Sequence, residues 1–391
     1  MKTLHQSPLE PGFVQNPYPF YESARAHGPF FHWADYNLPC TPSAAACSAI
    51  FRDRRFGRQA PPECASEIPP HLAPFYEFER HSMLELEPPT HTRLRGLVLR
   101  AFTSRRIAAL GPEITALTHQ LIDELPTDGP FDLLPHFAQK LPVIIIARLL
   151  GVPEDMAPDL LRWSNAMVSM YMANRDRLTE DLAVAATRDF SDFMRAYVDA
   201  RRNDPRDDLI THLIAAEEGG EKLTTDELIT TCILLLNAGH EATVHTIGNG
   251  VKSILEAGAQ RAFYAAEALV EEILRFDPSL HMFTRWVYED VEVMGANFKR
   301  GDQVGLLLAA ANRDPEVYDL PAQFDPARPA RGHVSFGAGL HFCVGAPLAR
   351  LELQIALPIL FERLPNLRTA QPPVYADVYH FHGLQSLMLQ R

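Results

Sequence analysis

The chemistry-bearing residues of this chain concentrate in Phe336-Gly337-Ala338-Gly339-Leu340-His341-Phe342-Cys343-Val344-Gly345. The run leads into Ala346-Pro347-Leu348-Ala349-Arg350-Leu351-Glu352, where helical periodicity begins. Gly337 and Gly339 permit backbone conformations, and a close approach to a flat ligand, that a Cβ would resist. A cysteine at a helix start faces unpaired N–H groups and the positive end of the helix dipole, which favour the thiolate. Such a thiolate suits a metal ligand or a nucleophile, and a buried structural cysteine is the alternative for the residue in isolation. Gly337-x-Gly339 does not extend to a dinucleotide fingerprint, because the third glycine position is Phe342 and no βαβ pattern precedes it.

Two other groups could do chemistry. In Ala238-Gly239-His240-Glu241-Ala242-Thr243, the pair His240-Glu241 suggests a zinc hydrolase. The second histidine of H-E-x-x-H falls on Val244, however, and His245 is one residue too far for both imidazoles to share a helix face. Both histidines are expected to be ordinary polar side chains. Glu272 and Arg275, three apart, lie on one helix face and can pair.

These groups need elements to hold them. Thr224-Thr225-Asp226-Glu227 has the form of a capping box, so a long helix should start there and run to about Glu256, roughly 45 to 50 Å. Its centre is apolar nearly all round and should be buried. After an extended, proline-rich entry, further helices are predicted near 91–108, 112–125, 137–150, 158–173, 180–203, 206–217, 261–276 and 343–364. Short strands fall at 286–288 and 291–293, and 312–330 reads as a long ordered loop. The expected fold is mainly α with a smaller β-rich region.

The 391 residues are 47% hydrophobic and 22% charged, with no Gly/Ser-rich or charged linker, so a single domain over 1–391 is expected. A net charge of -13 opposes a nucleic-acid surface, and the arginines of 93–106 alternate with apolar residues as on an amphipathic helix. The N-terminus is proline-rich and lacks an apolar run, so no membrane anchor and a cytoplasmic location are expected. Five scattered cysteines without C-x-x-C argue against a disulfide framework or a four-cysteine zinc cage.

The run Phe-Gly-x-Gly-x-His-x-Cys-x-Gly resembles the haem-binding signature of the cytochrome P450 family. Other family segments follow in order, and the resemblance extends from about Asn16 to Leu384. It implies a triangular-prism, mostly helical fold, haem b (iron protoporphyrin IX) as cofactor, and Cys343 as the iron ligand. It places Phe336 and Gly345 in the cofactor loop and assigns haem-propionate contacts to His91, Arg95, Arg285 and His341, while Arg93 and Arg100 stay solvated. Glu272 and Arg275 match the family's E-x-x-R element, which implies a buried structural network with the loops around Asn312 and Phe324.

The segment at 238–243 resembles the family's oxygen-activation stretch. Gly239 would leave room for dioxygen, and Glu241 matches the acid, but Ala242 stands at the usual threonine. The missing alcohol must be replaced by water or a substrate hydroxyl if protons are to be delivered. The resemblance implies a haem-thiolate monooxygenase acting on a small, mostly apolar organic molecule with dioxygen. No flavin, nicotinamide or iron–sulfur pattern is present, so a separate ferredoxin or flavodoxin with its reductase is expected, docking near Arg95, His341 and Arg350. A peroxide-driven peroxygenase and a non-catalytic haem sensor are the alternatives. Substrate contacts implied are Phe75, Phe78, Met83, Met167, Met170, Tyr171, Asn237, Ala238, Met282, Phe283 and Leu384, with Asn237 or His281 as polar handles.

Overall fold

A computed structural model describes residues 1–172, 175–218, 221–259, 264–329, 332–379 and 381–391. The helix Thr225–Glu256 is the axis of the arrangement. The Thr224 hydroxyl accepts from the Glu227 N–H, and the Glu227 carboxylate accepts from the Thr224 N–H, so two otherwise orphaned donors fix its start. Its 32 residues span about 48 Å. Lys140–Leu150, Ala157–Val168, Arg177–Asn203, Ala266–Phe276 and Ala346–Arg363 pack against it. Their apolar faces form the main core, with Leu94, Phe137, Phe190, Leu236 and Leu353 fully buried.

The centre of the long helix departs from the expected burial. Ala238 is exposed, and Asn237, Gly239, Glu241 and Ala242 are half-buried, although Leu235, Leu236, Thr243 and Val244 on either side are buried. Open surface in the middle of a helix packed on all sides means that a hollow runs alongside it.

Strands Lys2–Leu4, Phe31–Trp33, Leu38–Thr41, Gln303–Leu307, Met282–Val287 and Phe56–Gly57 form a mixed sheet in that order. A smaller sheet joins Arg368–Thr369, Met388–Gln390 and Phe131–Asp132. The proline-rich entry is not simply extended. It holds helices Tyr18–Arg25 and Ala44–Arg52, the second capped by Ser43 and burying Ala46, Cys47, Ile50 and Phe51 at helical spacing.

The helix expected over 91–108 is two, Thr90–Ala101 and Ser104–Ala109, because the Thr103 hydroxyl accepts from Arg106 N–H and starts a new helix. The helix expected from 261 runs from Ala266 to Phe276, with 260–263 outside the described residues, as are 173 and 330 at the ends of two other expected segments. Among the described residues no helix is long and apolar enough to cross a membrane.

Candidate active site

The cysteine loop is held by close approach. Gly337 and Gly339 have φ of +66° and +69°, and a Cβ on Gly339 would collide with the carbonyl oxygen of Phe51. Only glycine satisfies both demands. The Cys343 N–H donates to Phe336 O at 3.0 Å, and two residues later Gly345 begins the helix Ala346–Arg363. Burial pushes the Cys343 thiol up, against the N–H groups of Gly345 and Ala346 and the guanidiniums of Arg95 and Arg350, which favour thiolate; burial wins. The thiol therefore keeps its proton until a stronger electrophile, such as a metal ion, displaces it.

Around this loop the structure gathers the four cationic or imidazole side chains named from the sequence. The rings of His91 and His341 lie 4.3 Å apart. His341 Nε2 is 2.9 Å from Glu87 Oε1, and Arg95 donates to Phe342 O at 2.7 Å. Burial, with His341 and Arg95 nearby, pushes His91 down to about 4, so it is neutral, and its Nδ1 is buried without a partner. Arg285 is buried, and burial followed by the neighbouring Arg58 pushes it down to about 9. It lies 5.0 Å over the Phe51 ring, donates to Thr284 O, and forms no ion pair among the described residues. A buried guanidinium without a carboxylate, beside an orphaned imidazole nitrogen, is the donor set that an anionic edge of a flat ligand requires. A haem with its propionates fits that set.

Arg93 is partly exposed, as expected, but not free. It pairs with Glu227 at the start of the long helix and with Glu221 at 3.2 Å, because packing brings the helix Thr90–Ala101 alongside that capping box. Arg350 lies 4.6 Å over the Phe336 ring and pairs with Glu271 at 2.5 Å.

On the long helix, Glu241 sits between two imidazoles, with His240 Nε2 at 3.3 Å and His245 Nε2 at 3.2 Å. Both histidines are polar side chains engaged with Glu241, since helical geometry returns His245 to Glu241 one turn on. Burial alone would protonate Glu241, but the two imidazoles outweigh it and hold the carboxyl well below the usual carboxylate range. Ala242 carries no hydroxyl, and the nearby ones are spent: Thr243 donates to Gly239 O at 3.2 Å and Thr246 to Ala242 O at 2.7 Å. The Cβ that Gly239 lacks would lie 3.4 Å from Ile146 Cγ1. That side of Gly239 meets the helix Lys140–Leu150 at ordinary van der Waals distance.

Glu272 and Arg275 are fully buried and joined by two bonds of 2.7 Å. Arg275 also donates to Asn312 O, Pro321 O and Gln323 O, and Glu272 accepts from Asp325 N–H at 2.8 Å. The pair ties a helix end to the long loop beyond it.

The apolar candidates divide. Phe75, Met83, Met167, Met170 and Leu384 are buried members of the large helical core, and Phe78 packs against it. Asn237 reaches Met167 Sδ at 3.8 Å with its Oδ1 unpartnered, and Tyr171 donates to Glu79 at 3.1 Å. Met282 does not share their surroundings. It packs with Phe31, Trp33 and Cys40 behind the sheet, because strand alternation sends 282 to one face and Phe283 with Arg285 to the other. His281 likewise faces Tyr21 and Tyr379 rather than the long helix. Phe283 meets the Phe51 ring at 6.4 Å, and both rings approach Gly337.

Phe51, Arg58 and Glu87 escaped the sequence reading. Phe51 forms a wall to the cysteine loop, and Glu87 accepts from His341 and from Arg58 N–H at 2.6 Å. The sequence signal for Glu87 is its nearness to Pro88-Pro89-Thr90-His91; for Phe51 there is none, since it reads as a helix core position.

The cytochrome P450 family model matches residues 264–370. Over 87% of its length the chain is 38% identical to the polyketide biosynthesis cytochrome P450 PksS of Bacillus subtilis, covering 86% of that protein. It is 38% identical to the vitamin D(3) 25-hydroxylase of Pseudonocardia autotrophica, over 92% of this chain and 89% of that one. The fold matches the crystal structure of P450BioI in complex with an acyl carrier protein ligated to hexadec-9Z-enoic acid. The TM-score is 0.90 and the identity 31%, over 98% of this chain and all of that one. The chain therefore belongs to the cytochrome P450 family and is a haem-thiolate monooxygenase that incorporates oxygen from dioxygen into an organic substrate.

Proposed function

We propose that Cys343 is the iron ligand, that His91, Arg95, Arg285 and His341 hold the haem propionates with Phe336 and Gly345 completing the loop, and that residues 1–391 act as one haem domain. When bound, the haem supplies the reductive activation of dioxygen. The observation that carries this reading is the conjunction at one place of a thiol under a helix N-terminus, an unpaired buried guanidinium and an orphaned imidazole.

Electrons come from a separate ferredoxin or flavodoxin with its reductase. The cysteine loop exposes Leu340 and Phe342 beside Arg95, an apolar and cationic patch suited to an acidic carrier. The substrate is a mostly apolar organic molecule lying along the hollow beside Ala238, against Phe75, Phe78, Met83, Met167, Met170 and Leu384. A polyketide pathway, vitamin D(3) and a long acyl chain in the relatives' names support that class. Product formation from reduced ferredoxin and dioxygen tests the reading, and turnover driven by hydrogen peroxide alone would overturn it.

The propionate assignment predicts an order of haem loss. Removing a buried charged partner costs roughly 3 to 5 kcal/mol, so Arg285→Ala and Arg95→Ala should lose haem in mild denaturant well before Arg93→Ala does. Arg93→Ala instead removes the pair with Glu227, and its loss should appear in the unfolding midpoint. Equal haem occupancy in all three variants, read by absorbance, contradicts the assignment.

Glu241 Oε1 and Oε2, kept ionised and oriented by His245 and His240, are the atoms across which the proton is relayed. With the hydroxyls of Thr243 and Thr246 committed to carbonyls, a water or a substrate hydroxyl bridges the gap beside Ala242. Ala242→Thr should then raise product formed per electron pair with substrates that lack such a hydroxyl, and lower peroxide release. Glu241→Gln should slow turnover with every substrate, by about 10²-fold or more. An unchanged coupling ratio in the first variant, together with full activity in the second, sinks the proposal.

A further inference from the structure

Away from the cysteine loop, three ligating side chains meet inside the protein. Asp277 and His281 follow the helix Ala266–Phe276, and His382 comes from the C-terminal turn. One donor atom of each lies within 4.8 Å of the other two, and all three residues are buried. Asp277 Oδ1 is 3.7 Å from His382 Nε2. His281 is fully enclosed, with Nδ1 2.9 Å from Tyr21 Oη, yet its Nε2 is buried without a partner. A buried polar atom left unsatisfied costs roughly 1 to 3 kcal/mol, so its persistence here points to something that completes it.

We propose that Asp277, His281 and His382 bind one zinc ion, at a site separate from Cys343. Two imidazoles and a carboxylate are the donors zinc takes, whereas calcium and magnesium demand oxygen alone. The surrounding hydroxyls orient these ligands. Tyr18 donates to Asp277 Oδ1 at 2.8 Å and Tyr375 to Oδ2. If His281 Nδ1–H donates to Tyr21, whose hydroxyl also meets Tyr379, Nε2 is left with its lone pair free for the metal. The Tyr375 ring stacks on His382 at 3.8 Å and fixes its plane.

A cavity of about 330 Å³ lined by Tyr18, Asp277, Tyr375 and His382 reaches two of the three ligands. It also supplies room for a water as fourth ligand. Two cations share the cavity, and both are engaged. Arg313 donates to Phe276 O at 2.8 and 2.7 Å while lying over the Tyr18 ring, and Lys252 pairs with Glu256 at 2.9 Å. The ion would tie the C-terminal turn, two residues before Leu384, to the end of the E-x-x-R helix.

The test is titration of the chelator-treated holoenzyme with zinc sulfate, followed by calorimetry and by metal analysis after gel filtration. One equivalent should bind and raise the unfolding temperature. His382→Gln should weaken that equivalent at least about 10 to 100-fold and abolish the temperature rise. His281→Asn should do the same and serves where His382→Gln fails to fold. The haem spectrum, set by a different site, should stay unchanged in both. Absence of a tight equivalent in the native protein, or undiminished binding in a folded variant, overturns the proposal and leaves Asp277 and His382 as an ordinary buried pair.

Discussion

Cys343→His is expected to abolish the thiolate-specific absorption of the ferrous carbonyl complex and, with it, turnover. The reason is local. The Cys343 sulfur stands under the N–H groups of Gly345 and Ala346, beside Arg95 and Arg350, and these can stabilise the thiolate once iron has displaced the proton that burial otherwise retains. An imidazole in that position would be a neutral ligand donating less electron density, so a haem held there would lack the electron donation that a thiolate would supply. The same logic predicts that haem uptake by the free protein releases a proton, detectable in weakly buffered solution. A carbonyl spectrum in the variant identical to that of the native protein would remove Cys343 from its assigned role.

The largest stability effect is expected at Glu272 and Arg275. Glu272→Gln leaves the Arg275 charge fully buried without its counter-ion, which costs roughly 3 to 5 kcal/mol out of a total near 5 to 15. Replacing both residues by methionine should recover little, because Arg275 also satisfies the carbonyls of Asn312, Pro321 and Gln323, which the double variant orphans. The contrast is Lys299→Ala, which breaks a solvent-exposed pair with Asp290 at 2.7 Å and should leave the denaturant midpoint nearly unchanged. Denaturant midpoints for the three variants measure this. A Glu272→Gln protein as stable as the Lys299→Ala protein would mean that the pair does not hold the loop.

Much of the site could be read from consecutive residues. The glycines, the cysteine and the helix beyond it are close in the chain, so their relation is set by backbone geometry, as are the capping box at Thr224 and the spacing of Glu272 and Arg275. The family resemblance rests on those same local patterns. Helical periodicity also locates the long helix, because an apolar face has to be buried whatever it packs against.

What periodicity does not carry is which distant segment lies opposite. Phe51 beneath Gly339, Glu87 on His341 and Glu227 on Arg93 join residues far apart in the chain. The misplaced substrate contact at Met282 is a matter of strand alternation, which turns it to the N-terminal core while Phe283 and Arg285 share the other face. Burial depends on packing too: Ala238, apolar and in the middle of an apolar stretch, is exposed. Local sequence therefore determined the elements and the cysteine loop, through backbone geometry and apolar spacing. Only tertiary packing decided which charges are paired, which guanidinium is left without a carboxylate, and where the hollow beside the long helix opens, since each depends on contacts between segments that the chain order does not specify.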